Sequence, residues 1–246
     1  MYRERIETTP TKSEEAQRLK ALMLLYNDHQ AQSRAAEITS MTTALATWQT
    51  NRLRTTHSDL YRNEHFQNGI DFLLQELYGA NDFSARDRDL ERIFPKLVKL
   101  LPNKLIDTVS NLVELNLLTQ QLDEKLAITM LELNANPTEI VEQTYIAAYA
   151  NGSEFSERKR QLELVSQAGQ LLDKHARNPL LRFSLNVSER PANKAGLAAL
   201  HSFLVRGFDA FYSMKNVNTL MQTLIQRESE ILSRIYEQHP TPFQLK

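Results

Sequence analysis

Apolar residues recur along most of the chain at the three- and four-residue spacing of amphipathic helices, and no segment alternates as a half-buried strand does. Residues 103–133 are apolar around most of the helical circumference, and residues 191–214 have a similarly wide apolar arc. A helix that is apolar on nearly all sides is enclosed by neighbouring helices. The pattern therefore predicts an all-α fold, a multi-helix bundle of about eight to nine helices with two central apolar helices.

Capping residues, prolines and glycines indicate where these helices begin and end. The sequence predicts helices over residues 13–57, 63–78, 84–101 with a kink at Pro95, 103–133, 137–150, 156–176, a short segment after Pro179, 191–214 and 218–236. Asn136 and Pro137 have the residue types of an N-cap and a first helical position. Gly79 and Gly152 each follow an apolar run and suit the left-handed position that ends a helix.

Two glycines, Gly196 and Gly207, lie on one line with Phe203 in the predicted helix over residues 191–214. An interior glycine costs about 1 kcal/mol relative to alanine. Close approach of another helix is the expected reason for keeping two of them on one line.

No linker rich in Gly, Ser or Pro divides the chain, and no repeat period is present. We therefore expect a single helical domain over residues 13–236. The flanking residues 1–12 and 237–246 are expected to be disordered tails.

Composition excludes several kinds of chemistry. The chain has no cysteine, which removes thiolate catalysis, cysteine-ligated zinc, iron–sulfur clusters and disulfides. Its 29 basic and 30 acidic residues give a net charge of −1, so no long-range field attracts nucleic acid or an anionic membrane. The N-terminal residues are highly charged, and His201, Arg206 and Asp209 interrupt the most apolar run. We expect a soluble, cytoplasmic protein that binds neither nucleic acid nor membrane.

The segment over residues 77–102, LYGANDFSARDRDLERIFPKLVKLLP, is similar to a segment of a family of uncharacterised bacterial all-helical proteins. The similarity lies in Leu77-Tyr78-Gly79, Asp82-Phe83, Arg86-Asp87, Asp89-Leu90, Arg92-Ile93, Pro95 and Leu101-Pro102. Weaker similarities run through residues 160–173 and 190–228. The resemblance implies a helical domain of the bacterial cytoplasm with no known activity, and it transfers no functional residue.

Recognisable catalytic and cofactor motifs are absent from the sequence. None of the six histidines has a glutamate three residues before it, as the ligands of di-iron bundles require. The chain also lacks a His-Glu-x-x-His motif, a phosphate-binding glycine loop, a nucleophile elbow and a Rossmann fingerprint. We therefore assign no catalytic residue, no metal ligand and no cofactor.

His201 is the most notable single residue, because it lies near the margin of the apolar arc of residues 191–214, in line with Tyr212. A ligand or general base in an apolar pocket has this setting. A histidine at the core edge that bonds a carbonyl has the same setting and is commoner. If a pocket exists between the two central helices, its expected ligand-binding residues are His201, Tyr212 and Asn116.

Arginines and aspartates crowd the start of the predicted helix over residues 84–101. Arg86 and Arg92 are candidates for binding an anion, since guanidinium groups suit phosphate and carboxylate. The favoured alternative is structural. Asp87 would complete a capping box with Ser84, and the other charges would form surface pairs.

Polar residues in otherwise apolar helices need partners. Asn116 and Asp123 lie seven residues apart on the central helix, and they either line a polar pocket or fix the helix register through a neighbour. Register is the favoured role. Tyr145 and Tyr149, one turn apart, either face a cavity or pack their rings together.

Two functional hypotheses remain. The first is a non-enzymatic helical protein that acts through protein–protein contact or self-association, with a homodimer or another protein as partner. Its support is the helix over residues 13–57, whose apolar patches need a covering surface in the bundle or in a second subunit. The alternative is a small-molecule or cofactor-binding bundle, which would allow an enzyme, with a pocket between central helices.

Overall fold

The structure is a computed structural model that describes residues 2–32, 34–75, 84–175, 178–212, 214 and 216–245. Helices account for most of this part of the chain, and it contains no strand beyond one isolated bridge between Asn136 and Glu139. The described helices are α1 (Tyr2–Thr8), α2 (Glu14–Ala31), α3 (Ala36–Thr56), α4 (Ser58–Tyr61), α5 (Glu64–Leu73), α6 (Ser84–Leu100), α7 (Asn103–Glu132), α8 (Glu142–Asn151), α9 (Phe155–His175), α10 (Pro179–Lys194), α11 (Ala198–Tyr212) and α12 (Val217–Tyr236). The all-α class is confirmed. The predicted number of helices is too low, since twelve lie within the described residues.

Helix α7 lies at the centre of the bundle. Its apolar circumference packs against α2, α3, α8 and α9, and Ile106, Leu122 and Leu126 are buried in these contacts. The bounds of α7 nearly match the predicted helix over residues 103–133. The packing on several sides is what an apolar pattern around most of the helix predicts.

The predicted helix over residues 191–214 is wrong at its N-terminal end. Helix α10 continues through Pro191, and the chain turns at Gly196, which has φ +69°. Leu197 N donates to Ala192 O at 2.8 Å, and Gly196 N donates to Asn193 O at 3.0 Å. This is the Schellman pattern, in which a left-handed residue closes a helix. Gly196 therefore ends α10.

Gly207 does serve close packing. A Cβ atom at this position of α11 would lie 2.9 Å from Cζ of Phe72 on α5. Close approach of another helix, the reason expected for both glycines, is confirmed for Gly207. It does not hold for Gly196, which forms a turn.

The predicted long helix over residues 13–57 is interrupted. Residues 34 and 35 are non-helical between α2 and α3, and both helices pack against α7. The break lies in the polar middle of the segment, where Arg34 donates to the carbonyl of His29 at 3.0 Å and to Glu124 at 2.9 Å. The apolar patches of this segment are thus covered by the chain's own bundle.

Both terminal segments differ from the expected disordered tails. Helix α1 packs against α2 and α6 and buries Ile6 in the core. Near the other end, the ring of Phe243 lies 6.0 Å from the Trp48 ring and 6.2 Å from the Tyr145 ring. Apolar anchors within otherwise polar segments explain both differences.

Asn136 does not cap a helix. Its Oδ1 accepts hydrogen bonds from the backbone and the hydroxyl of Thr138, which form a local turn, and α8 begins only at Glu142. Gly152 follows α8 as predicted but has right-handed backbone angles. Gly79 lies outside the described residues.

Candidate functional site

The three residues expected to line a pocket are placed apart. His201 Nε2 lies 2.8 Å from the carbonyl oxygen of Leu185, between α11 and α10. Tyr212 is roughly 16 Å further along α11, where its ring lies beneath the Arg182 guanidinium. Asn116 accepts a hydrogen bond from Gln120 Nε2 at 3.4 Å on α7. No contact within the described residues joins these three side chains.

Arg92 binds the end of a helix. Its Nη1 donates to the carbonyls of Gly196 at 2.5 Å and Ala195 at 3.4 Å. One turn earlier on α6, Asp89 accepts from the backbone N–H of Leu200 at 3.0 Å. The guanidinium satisfies carbonyls at the end of α10, and the carboxylate satisfies an N–H at the start of α11. The side chain of Arg86 lies outside the described residues.

A buried group of ionisable and polar side chains lies where α3, α7, α8, α9 and α12 meet. We call it the polar cluster, and its members are Gln49, Arg52, His57, Asp123, Tyr145, Tyr149, Arg158 and Glu228. Such clusters of perturbed groups are candidates for functional sites, although structural networks perturb pKa values as well.

Glu228 forms one half of the polar cluster. Arg52 Nη1 lies 2.5 Å and His57 Nε2 lies 2.7 Å from its Oε1. Burial alone would raise the pKa of Glu228, but the charge of Arg52 and the hydrogen bonds from His57 and Arg52 lower it to about 2. Glu228 is therefore an ionised carboxylate that ties α12 to the end of α3.

Asp123 and Arg158 form the other half. Asp123 accepts from Gln49 Nε2 at 3.4 Å, and burial raises the pKa of Asp123 to about 6 against the opposing charge of Arg158. Arg158 is buried and donates to Ser153 Oγ at 3.0 Å, and its guanidinium lies 4.1 Å from the centre of the Tyr149 ring. A carboxyl group with this pKa changes its charge near neutral pH.

The cavity within the polar cluster has a volume of about 30 Å³. Gln49, which lines this cavity, has its Oε1 buried without a hydrogen-bond partner among the described residues. This volume holds about one water molecule, whereas pockets for metabolites occupy roughly 300–1,000 Å³. The polar cluster can hold helices in register and respond to pH, but it is too small for a cofactor.

A larger depression of about 330 Å³ lies between α7 and α9 and is open to solvent. Its charged side chains have partners: Arg160 lies 2.7 Å from Glu114 within the lining, and Glu157 lies 2.7 Å from Lys125, which stands outside the lining. No group of three or more His, Asp or Glu side chains in the described ranges could hold a metal ion. None of the described helices combines the length and apolarity needed to cross a membrane.

Helix α10 carries an exposed apolar surface that we call the α10 face, formed by Leu180, Phe183 and Val187. Their exposed fractions are 74%, 65% and 60%. The spacings of three and four residues place them on one line of the helix. Leu185, whose carbonyl contacts His201, lies on the opposite side, towards α11.

A family model described as a domain of unknown function, DUF8198, matches residues 28–242. The chain belongs to this family. The DUF8198 match includes both the polar cluster and the α10 face. Comparisons with curated proteins and with solved structures found no match.

The sequence predicts only some members of the polar cluster in this DUF8198 domain, and it does not predict the α10 face. The polar positions of Asp123 and the Tyr145–Tyr149 pair were recognised, and the rings of that pair do pack, with centres 5.7 Å apart. Their partners Gln49, Arg158 and Glu228 come from remote segments and carry no local signal. The α10 face falls in the short segment that the sequence predicts after Pro179, but no local pattern shows which side of that helix the bundle leaves uncovered.

Proposed function

We propose that the protein acts without catalysis, by associating with a second copy of itself through the α10 face. The observation that carries this proposal is the exposure of three large apolar side chains on one line of one helix. Single exposed apolar residues are common, whereas a contiguous set marks an interaction surface.

The surroundings of α10 support an outside partner. Among the described helices, α10 packs mainly against α11, and Leu204 and Tyr212 of α11 are also substantially exposed. The net charge of −1 creates no strong repulsion between copies. A second copy is the partner that satisfies these conditions without a further assumption.

The alternative function, a small-molecule or cofactor-binding bundle, has less support. The enclosed cavity has the size of one water, and His201, Tyr212 and Asn116 share no described contact. The balanced charge supports a partner other than nucleic acid. A bacterial cytoplasm is the proposed location, and it rests on the resemblance of residues 77–102 alone.

Sedimentation velocity over a range of protein concentrations tests the proposal. We expect the wild-type chain to shift from monomer towards dimer as concentration rises. Phe183→Asp and Leu180→Asp place a carboxylate in the contact, which must then be desolvated, and should weaken association at least about tenfold.

Leu100→Asp is the matched control, since Leu100 is 71% exposed but belongs to α6. It should leave association unchanged, and circular dichroism should show native helix content in all three variants. A wild-type protein that stays monomeric at every concentration, or equal weakening by Leu100→Asp, would contradict the proposal.

A further inference from the structure

Gln49 of the polar cluster has a buried acceptor that the described part of the chain does not satisfy. Its side chain is almost fully enclosed, since Gln49 is 4% exposed. Gln49 Nε2 donates to Asp123 Oδ1 at 3.4 Å and to the Tyr145 hydroxyl at 3.5 Å. Gln49 Oε1 is buried without a hydrogen-bond partner among the described residues. An acceptor in this state destabilises the fold, so a donor is expected beside it.

The Tyr145 hydroxyl has the complementary requirement. Tyr145 is 1% exposed, and its oxygen accepts from Gln49, which leaves its own O–H to donate. Burial raises the pKa of Tyr145, so the hydroxyl keeps this proton. Gln49 and Tyr145 line the same cavity. A small molecule that both donates and accepts hydrogen bonds can therefore satisfy the two side chains together.

The cavity of the polar cluster has the size and the lining for such a molecule. Its volume is about 30 Å³, whereas a buried water needs roughly 10–15 Å³ and two to four polar partners. Asp123 lines the cavity as well and offers a third partner. Apolar side chains complete the wall, namely Leu162, Ile231, Ile235 and Phe243. Because these side chains form no hydrogen bonds, the polar groups must be satisfied from inside the cavity.

We propose that the polar cluster binds one internal water molecule, which donates a hydrogen bond to Gln49 Oε1 and accepts one from the Tyr145 hydroxyl. Its remaining capacity serves the carboxyl group of Asp123, since water donates to a carboxylate and accepts from a carboxylic acid. The water thereby joins α3, α7 and α8, the helices that carry these three side chains. This inference does not depend on the proposed self-association.

Ions suit the cavity less well than water does. A chloride ion only accepts hydrogen bonds, so it would leave Gln49 Oε1 without a donor. A metal cation would lie near the guanidinium groups of Arg52 and Arg158, which line the same cavity and would repel it. A neutral water molecule avoids both conflicts.

Oxygen-17 magnetic relaxation dispersion tests the proposal, because it detects water molecules that stay inside a protein for longer than the protein takes to tumble. Gln49→Met keeps a side chain of similar length but removes the acceptor. This variant should hold one long-lived water molecule fewer than wild type. Gln222→Met, at an exposed position of α12, is the matched control and should leave the number unchanged. Circular dichroism checks that both variants retain their helices.

Tyr145→Phe supplies a second variant, which keeps the aromatic ring and removes only the donor. The water should then exchange with solvent roughly tenfold faster, since it loses one hydrogen bond. Tyr212→Phe, whose ring lies against Arg182 on another helix pair, should leave the exchange rate unchanged. If Gln49→Met fails to fold, the exchange rate in Tyr145→Phe decides. Wild-type numbers and exchange rates in both cluster variants would overturn the inference.

A crystal structure of the wild type soaked in bromide supplies a measurement that needs no variant. We expect a water peak within about 3.2 Å of Gln49 Oε1 and no anomalous bromide signal in the cavity. A bromide signal there would show an anion site. A cavity without density, in a map that shows other internal waters, would show that the site is dry. Either result would overturn the inference.

Discussion

Asp123, on α7, is a carboxyl group whose pKa lies well above its ordinary value. Its pKa is raised to about 6 from 3.8, chiefly by burial. The folded protein therefore holds this proton more tightly than the unfolded chain does. A raised carboxyl pKa makes the folded state more stable at low pH, where the group is protonated. This contribution to the free energy of unfolding is lost as the pH rises from about 4 to 6.

Asp123→Asn should stabilise the protein above pH 7. The amide carries no charge to desolvate and still accepts a hydrogen bond from Gln49. Each pKa unit corresponds to 1.36 kcal/mol, so we expect the free energy of unfolding to rise by about 1–3 kcal/mol at pH 8. Urea denaturation at a series of pH values measures this difference.

The gain should shrink towards pH 4, where wild-type Asp123 is protonated in the folded state. Glu142→Gln, at an exposed position on α8, is the control and should show no such trend. A loss of stability in Asp123→Asn at pH 8 would mean that the ionised carboxylate supports the fold through Arg158.

The turn between α10 and α11 shows how one helix arranges two others. Asp89 and Arg92 of α6 bond opposite ends of this turn, and Gly196 gives it a left-handed residue. The predicted roles of this charged segment were an anion site or surface pairs, but Asp89 and Arg92 position helix ends instead. Local spacing could not reveal this, because their partners lie about a hundred residues further along the chain.

Gly196→Ala should destabilise the protein by about 1–2 kcal/mol, because an L-residue is strained at positive φ. The added Cβ would also lie 2.0 Å from Nη1 of Arg92 and displace that side chain. Thermal unfolding of Gly196→Ala, Arg92→Ala and the double variant measures both effects. If the displacement matters, Gly196→Ala costs less in the Arg92→Ala background. Equal melting temperatures for wild type and Gly196→Ala would show that the turn tolerates a side chain.

Element boundaries were predictable where one physical signal dominated. The all-round apolar pattern located α7 almost to the residue. Pro191 and Gly196 give competing signals for one boundary, and in the structure Pro191 lies inside α10 while the left-handed Gly196 follows its end. At the break between α2 and α3, Arg34 reaches Glu124 of α7, a contact that no local pattern encodes.

At the scale of the whole molecule, the described bundle buries ionisable groups within its own chain and leaves an apolar helix face outside. The polar cluster links five helices around a cavity too small for a metabolite. The α10 face exposes three large apolar side chains on one line of a helix, and contiguous apolar surface of this kind marks an interaction site. Function through association with a second copy is the central claim that follows.

Hydrogen exchange measured at two protein concentrations tests this claim most directly. Concentrations on the order of 1 and 100 µM bracket the weak association expected of a small contact. We predict that backbone amides of α10 exchange more slowly at the higher concentration, while amides of α6 and α7 exchange at the same rate in both samples. Exchange in α10 that does not depend on concentration, or protection confined to another helix, would contradict the account.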